Sequence, residues 1–289
     1  MLAHEPRLPI AQGWQARLDL RFERRPGRDD ATVLASCRHF GPLRVQKALH
    51  PEGPGICHAI VLHPPSGIVG GDQLDIAIDV GDGARALLTT PGAGKWYRSA
   101  GALAAQRLHL RVGARGTAEW LPQETIVYSG AQANIASQVD LAADARFLGW
   151  EVLCLGRRAC GEDFSRGALR LANRITREGR PLWLERGRID GGSPLLDSPI
   201  GLAGFSVCGT LLATGDIDPS LLADCRGVAA AEAGARLGVT ALPGPSPIFV
   251  ARYLGHSSEA ARHWFVGLWQ HLRPALLGIP ARTPRIWNT

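Results

Sequence analysis

Between residues 74 and 150 the chain repeats one plan three times. Leu74, Ile76, Ile78 and Val80 alternate with Asp75, Ala77 and Asp79. A turn at Gly81-Asp82-Gly83 follows, and then Ala86-Leu87-Leu88 is apolar at consecutive positions. Leu108, Leu110 and Val112 lead through 113–116 into Ala118-Glu119-Trp120-Leu121. Ile135, Val139 and Leu141 lead through 142–144 into Arg146-Phe147-Leu148-Gly149-Trp150. Val80 and Val112 are 32 residues apart, Val112 and Leu141 are 29 apart. Period two marks a strand with one buried face, and a continuous apolar run marks a strand buried on both. A unit this short has no core of its own and must stack on the next copy. The pattern therefore predicts a mainly β protein with a β-helical or stacked-sheet body, against a meandering β-sandwich as the competing architecture. A fourth copy is readable at Leu169 to Ile175, the turn at Glu178-Gly179, and Leu182-Trp183-Leu184.

The chain before the repeats also reads as strands. Trp14 to Phe22 alternates and turns at Pro26-Gly27, Val33 to Cys37 is short, a strand with Leu43 and Val45 follows Gly41-Pro42, and Ile56 to Leu62 delivers His63 into a Gly-rich loop. The Gly, Ser and Pro content of 191–199 marks a boundary, giving a β-helical body over 1–200 and a C-terminal α+β segment over 201–289 packed on it. There, Phe205 to Leu212 and Pro247 to Leu254 read as strands. Asp218-Pro219 opens a helix carrying Leu221, Leu222, Cys225, Val228, Ala229 and Leu237 and stopping at Gly238. Ser257 caps a second helix, with Glu259 in its first turn, an apolar stripe of Trp264, Phe265, Leu268, Trp269 and Leu272, and a stop at Pro274. This is the order of two helices on one face of a small sheet.

Composition narrows the function classes. No apolar run approaches the ~20 residues that span a bilayer, and Met1 to Arg17 has no signal-peptide pattern, which points to the cytoplasm. The net charge is +6, and all basic residues but Lys47 and Lys95 are arginines. They are scattered, without an aromatic-interleaved patch, so nucleic-acid binding is weakly supported and a protein partner fits at least as well. The six cysteines form no C-x-x-C pair and read as reduced. Pro91-Gly92-Ala93-Gly94-Lys95-Trp96 imitates a phosphate-binding loop. It lacks the first glycine, where Thr89 stands, and the Mg²⁺-binding hydroxyl, where Trp96 stands.

The candidate chemistry lies in acids placed where apolar residues belong. Asp72 shares the parity of Leu74 and Ile76, and an inward carboxylate must find a cation, a donor or a proton. A carboxylate capping the Gly70-Gly71 turn is the structural alternative to a functional acid. Glu151 sits in a strand apolar on both parities; Glu162 follows Cys160-Gly161, and Glu185 ends Leu182-Trp183-Leu184. Structural ion pairs with Arg98, Arg157 or Arg186 are the alternative for each, whereas several inward acids in one β-body would line a polar passage. Cys57, His58 and His63 are the compact soft-ligand cluster, but their spacing matches no zinc signature and His58 falls on the opposite strand face. G-x-S-x-G and H-E-x-x-H are absent.

Ordered blocks then add a resemblance over nearly the full length: H-P-P-S-G-I-V-G-G-D-Q-L at 63–74, L-L-T-T-P-G-A-G-K-W-Y-R-S at 87–99, W-L-P-Q-E-T-I at 120–126 and D-A-R-F-L-G-W-E at 144–151. L-G-R-x-A-x-G-E at 155–162, P-L-W-L-E-R at 181–186, L-R-P at 272–274 and P-R-I-W at 284–287 complete it. The chain resembles the UreD (UreH) family of urease accessory proteins. Ser66 stands where many members have glycine, and Gly94-Lys95-Trp96 where many have Thr-Lys-Phe. The resemblance implies a β-helical body with two helices towards the C-terminus and no catalysis by this chain. It implies binding to UreF, which recruits the GTPase UreG, action on apo-urease, and transient passage of Ni²⁺ with no tightly bound cofactor. Carried onto the matching positions, Asp72, Glu151, Glu162 and Glu185 would line that passage. Carboxylates and water exchange Ni²⁺ faster than thiolate and imidazole cages. Two other readings compete: a carbohydrate-active β-solenoid enzyme using an acid pair, and a metal-storage protein using Cys57, His58 and His63.

Overall fold

Alternating strands with one charged face need a single apolar surface to close against, and strands apolar on both faces need two. Two stacked sheets with helices behind one of them satisfy both demands. A computed structural model describes residues 13–25, 27 and 30–288. Residues 1–12, read above for a leader, and Pro26 of the first turn lie outside the described residues. In chain order the strands are β1 (Gln15–Arg25), β2 (Ala31–Phe40), β3 (Arg44–Val45), β4 (Cys57–Leu62), β5 (Gln73–Val80), β6 (Arg85–Thr89), β7 (Gly94–Trp96), β8 (Ala104–Val112) and β9 (Thr117–Leu121). There follow β10 (Thr125–Val127), β11 (Gln132–Leu141), β12 (Arg146–Arg157), β13 (Glu162–Asp163), β14 (Ala168–Arg177), β15 (Arg180–Asp190), β16 (Val207–Thr214), β17 (Arg236–Leu242) and β18 (Ile248–Gly255).

The first sheet runs β15-β14-β11-β8-β5-β1-β2 and the second β17-β18-β16-β12-β9-β6-β4-β3. β1, β5, β8, β11 and β14 are parallel neighbours, as are β4, β6, β9 and β12. The body is thus a solenoid: each coil runs along the first sheet, turns, and returns along the second. Register follows the repeat read from the sequence, with Val80 opposite Val112 and Val112 opposite Leu141. The turns stack too, since Asp82 accepts from Ala114 N at 2.9 Å and Asp144 from Arg115 N at 2.7 Å. A Cβ at Gly113 would fall 2.4 Å from the Asp82 carboxylate, which explains that glycine.

The fourth copy departs from the plan. β15 folds back antiparallel on β14 within the first sheet instead of crossing to the second. The turn decides this. Glu178 and Gly179 both have positive φ, 48° and 74°, the two-residue geometry that joins adjacent antiparallel strands. The three crossing turns are longer.

The three strands after residue 200 continue the second sheet, β16 pairing antiparallel with β12 and β18 with β16. The first helix, α1 (Pro219–Gly227), is shorter than the apolar spacing suggests. It ends at Gly227, and Leu237 belongs to β17, where it repeats with period two beside β18. Asp218 caps α1 by accepting from Leu221 N at 2.8 Å. The second helix, α2 (Ser258–Leu272), is capped by Ser257, which accepts from Ala260 N at 3.1 Å, and its stripe covers the outer face of the second sheet. Trp264, Phe265, Leu268, Trp269 and Leu272 are buried there, each contributing about 1.5–3 kcal/mol. Ser257→Ala is expected to lower the unfolding free energy by about 1 kcal/mol in a urea titration, the usual loss of an N-cap. Beyond Leu272 a π-helical turn, Arg273–Leu277, aims Arg273 back at the sheet. Among the described residues no helix is long and apolar enough to cross a membrane.

Candidate functional site

The core between the sheets is apolar through the early coils and changes character at the last ones. One inward-facing register row reads Leu18, Ile76, Leu108, Ser137, Asn173, Glu185 across β1, β5, β8, β11, β14 and β15. Opposite it, on the second sheet, another row carries Glu151, Thr210 and Arg252. Where these rows face each other the packing opens into a cavity of about 490 Å³, bordered by Gln106, Ser137, Glu151, Asn173 and Thr210 on its polar side. Interiors seldom leave voids much larger than a water molecule. A void of this size with a carboxyl in its wall is therefore a feature to be explained.

Glu151 touches that void yet has protein on every side, so its surface counts as half-buried while its charge is poorly solvated. Burial, reinforced by the negative charge of Glu185, pushes its carboxyl up to about 7; Arg252 and the Asn173 amide only partly oppose this. Asn173 is itself oriented, its Oδ1 accepting from Ser137 Oγ at 2.7 Å. Glu185 accepts from Arg252 Nη2 at 2.7 Å, and Arg252 Nη1 donates to Thr210 Oγ1 at 2.6 Å. The guanidinium also lies over Trp183, 5.5 Å from the ring centroid. Cys208, on the same inward face, has its thiol pushed up to about 12 by burial and by Glu151, so it stays a thiol and not a thiolate ligand. The arrangement is a proton-holding carboxyl beside a second carboxylate whose counter-ion is an arginine.

The other sequence candidates stand elsewhere. Asp72 is buried, with Oδ1 accepting from Trp14 N at 2.7 Å and Oδ2 from Val69 N at 2.9 Å, which ties the loop before β1 to the one before β5. Glu162 accepts from Ser129 N at 3.0 Å and Arg157 Nη2 at 2.6 Å, which together hold its carboxyl below the usual range. Cys57 is packed in the core between the sheets, its thiol pushed up to about 11 by burial. His58 points to the other face, where Nε2 meets Glu52 Oε1 at 2.7 Å. His63 lines the cavity; its Nε2 is buried without a hydrogen-bond partner, and burial lowers its pKa against the pull of Asp72. The structure thus brings Glu151 under the charge of Glu185 and puts His63 in the same cavity wall, and it leaves Asp72, Glu162, Cys57 and His58 elsewhere. Among the described residues no three of His, Cys, Asp and Glu converge on one point.

Sequence reading missed the largest buried charge cluster. Arg273, wholly buried, donates to Glu52 at 2.6 and 2.8 Å, to Glu119 at 3.0–3.1 Å and to Pro280 O at 2.6 Å, while Trp269 Nε1 donates to Glu119 at 2.7 Å. The rule that singles out Glu151 also applies to Glu119, whose neighbours Ala118, Trp120 and Leu121 are apolar on both parities. The block at 284–287 has a similar structural use, with Trp287 Nε1 donating to Thr89 Oγ1 at 2.9 Å.

The model of the family described as "UreD urease accessory protein" matches residues 15–288. The chain belongs to the UreD family of urease accessory proteins. It is similar to the urease accessory protein UreD of Dechloromonas aromatica strain RCB, 56% identical over 98% of this chain and 99% of that one. The UreD of Azoarcus sp. strain BH72 is 56% identical over 96% and 95%, and that of Pseudomonas aeruginosa PAO1 49% over the whole of both. A UreD-family chain is an accessory protein of urease, which points to a non-catalytic maturation factor and not to an enzyme.

Proposed function

We propose that this UreD-family protein is a cytoplasmic chaperone and scaffold that binds apo-urease with UreF and, through UreF, the GTPase UreG, and that it helps deliver nickel to the urease active site through the Glu151 cavity. The observation that carries the nickel part is Glu151 in the cavity wall, under the negative charge of Glu185. A carboxyl that holds its proton near neutral pH binds a divalent cation only by giving that proton up, and this competition keeps affinity low and exchange fast. Arg252 supplies the counter-charge of Glu185, and the proton held by Glu151 stands in for a second cation. Hard oxygen donors without a thiolate suit an ion that must be released again. The failed phosphate loop fits as well, since the nucleotide would belong to UreG. Cys57 packs in the core while His58 points to the opposite face, which supports a passage over a storage site.

Two measurements test this. Pull-down of the tagged protein should recover UreF and the urease subunits from co-expressing cells; recovery of neither would end the scaffold reading. Co-expression of a Glu151→Ala, Glu185→Ala double variant should lower urease activation at least tenfold while leaving the pull-down intact. Wild-type activation by the double variant would remove the conduit and leave the scaffold standing.

A further inference from the structure

The arginines look scattered in the sequence, yet residues 166–190 hold seven of them against Glu178, Glu185 and Asp190, a net +4 out of the chain's +6. The β14–β15 hairpin lays this charge on one face. Arg170 stands opposite Arg188, Ala172 opposite Arg186 and Arg174 opposite Leu184, all on the outward side of the first sheet. Like charges directly opposite each other on a sheet repel and cost stability. On this face Arg17 is paired with Asp19, Arg107 with Asp75, His109 with Asp140 and Arg188 with Asp190. Arg170, Arg174 and Arg186 are exposed and make no ion pair or hydrogen bond among the described residues. Beside them runs a groove of about 550 Å³, floored by Ala136 and Ala172, with the unpaired Arg174 and Arg186 on one side and the Arg107–Asp75 ion pair on the other. Leu184, 61% exposed, stands at its rim, and β15 is the edge strand of the sheet.

We propose that this groove is a docking site for an extended acidic segment of a partner protein. In an extended chain, residues i and i+2 are about 7 Å apart on one side. Carboxylates at that spacing match the rows of arginines, and each guanidinium takes a carboxylate through two parallel hydrogen bonds. Leu184 supplies an apolar contact for a side chain between them. Single-stranded nucleic acid fits less well, because among the described residues no Trp, Tyr or Phe borders the groove to stack a base, and the exposed Phe40 of this face stands on β2 at the far edge of the sheet. The groove does not depend on the conduit reading. On that reading, however, it has a consequence: Glu185 borders the groove, and the unpaired Arg174 and Arg186 beside it repel a free divalent ion until an acidic segment neutralises them.

The test is fluorescence anisotropy of the full chain with a labelled twelve-residue peptide of alternating Glu and Val, at several salt concentrations. Binding should weaken at least tenfold in R170E/R174E/R186E and severalfold in R170K/R174K/R186K, which keeps the charge but loses the fork. It should stay within twofold in R21E/R38E/R111E, which makes the same charge change on the same face outside the groove. Absence of peptide binding, equal loss in both charge-reversal triples, or tighter binding of an oligothymidylate of equal charge would overturn the proposal. None of these readouts involves urease, so they stand or fall separately from the conduit.

Discussion

Arg273→Met is expected to lower the unfolding free energy by about 3–5 kcal/mol, the usual cost of leaving buried carboxylates without their cation. The guanidinium is wholly buried and is the shared partner of Glu52 and Glu119, themselves 5% and 1% exposed at their side chains. Burial pushes the Glu52 carboxyl up, but His58 and Arg273 outweigh it and hold it down at about 2. Burial raises Glu119 in spite of the same arginine. The two directions agree with simple stoichiometry: one guanidinium neutralises one carboxylate in full, and the deeper of the two keeps its proton to higher pH. Without Arg273, Glu119 keeps only the Trp269 indole and Glu52 only His58, and the ionic tie between the end of α2, the loop at Glu52 and β9 is lost. Urea titration at pH 7 measures the effect. Glu119→Leu combined with Arg273→Met should recover part of the loss, because it removes the deepest of the stranded groups. A loss under 1 kcal/mol for the single variant would show that the cluster is not a structural tie.

Glu151→Gln should have the opposite sign. In the folded protein this carboxyl titrates near 7, against 4.5 for an unperturbed glutamate. Between those values the folded state holds a proton that the unfolded chain has released, so stability falls as the pH rises through the window. The full penalty is reached above pH 7 and amounts to roughly 3 kcal/mol from the size of the shift. The amide carries no charge to desolvate. Urea titrations should therefore show the variant about 2–3 kcal/mol more stable than wild type at pH 8, with the two converging towards pH 4.5. A difference that does not change with pH would mean that Glu151 is solvated through the cavity and holds no proton near neutrality. The same substitution should reduce urease activation if the conduit reading is right. A residue that costs stability and is needed for function is what a site kept for its chemistry looks like.

The fold was largely legible in local pattern. Period-two alternation at 74–80, 108–112 and 135–141 named the inward face of each coil, and apolar residues on both parities at 86–88 and 118–121 named the sheet covered on both sides. The caps at Asp218 and Ser257 were readable because a helix start is a local event. The fourth unit was misjudged where a two-residue turn at Glu178-Gly179 replaced a longer one, although those residues already carry the signal for a hairpin. The extent of α1 was misjudged because Val228 and Leu237 fit helical spacing by chance, while packing against β18 selected a strand.

What sequence alone determined is which face each residue takes, since side-chain direction follows from backbone geometry a few residues long. It marked Asp72 and Glu151 as acids turned inward, and the blocks over the whole chain marked the family. What only the tertiary structure decided is which inward residues meet. Glu151 faces Glu185 from another sheet, Arg252 arrives from a strand near the C-terminus, and Arg273 reaches Glu52 across 221 residues. Those meetings depend on how two sheets stack and slide into register, a property of the assembled core to which no short stretch of chain has access.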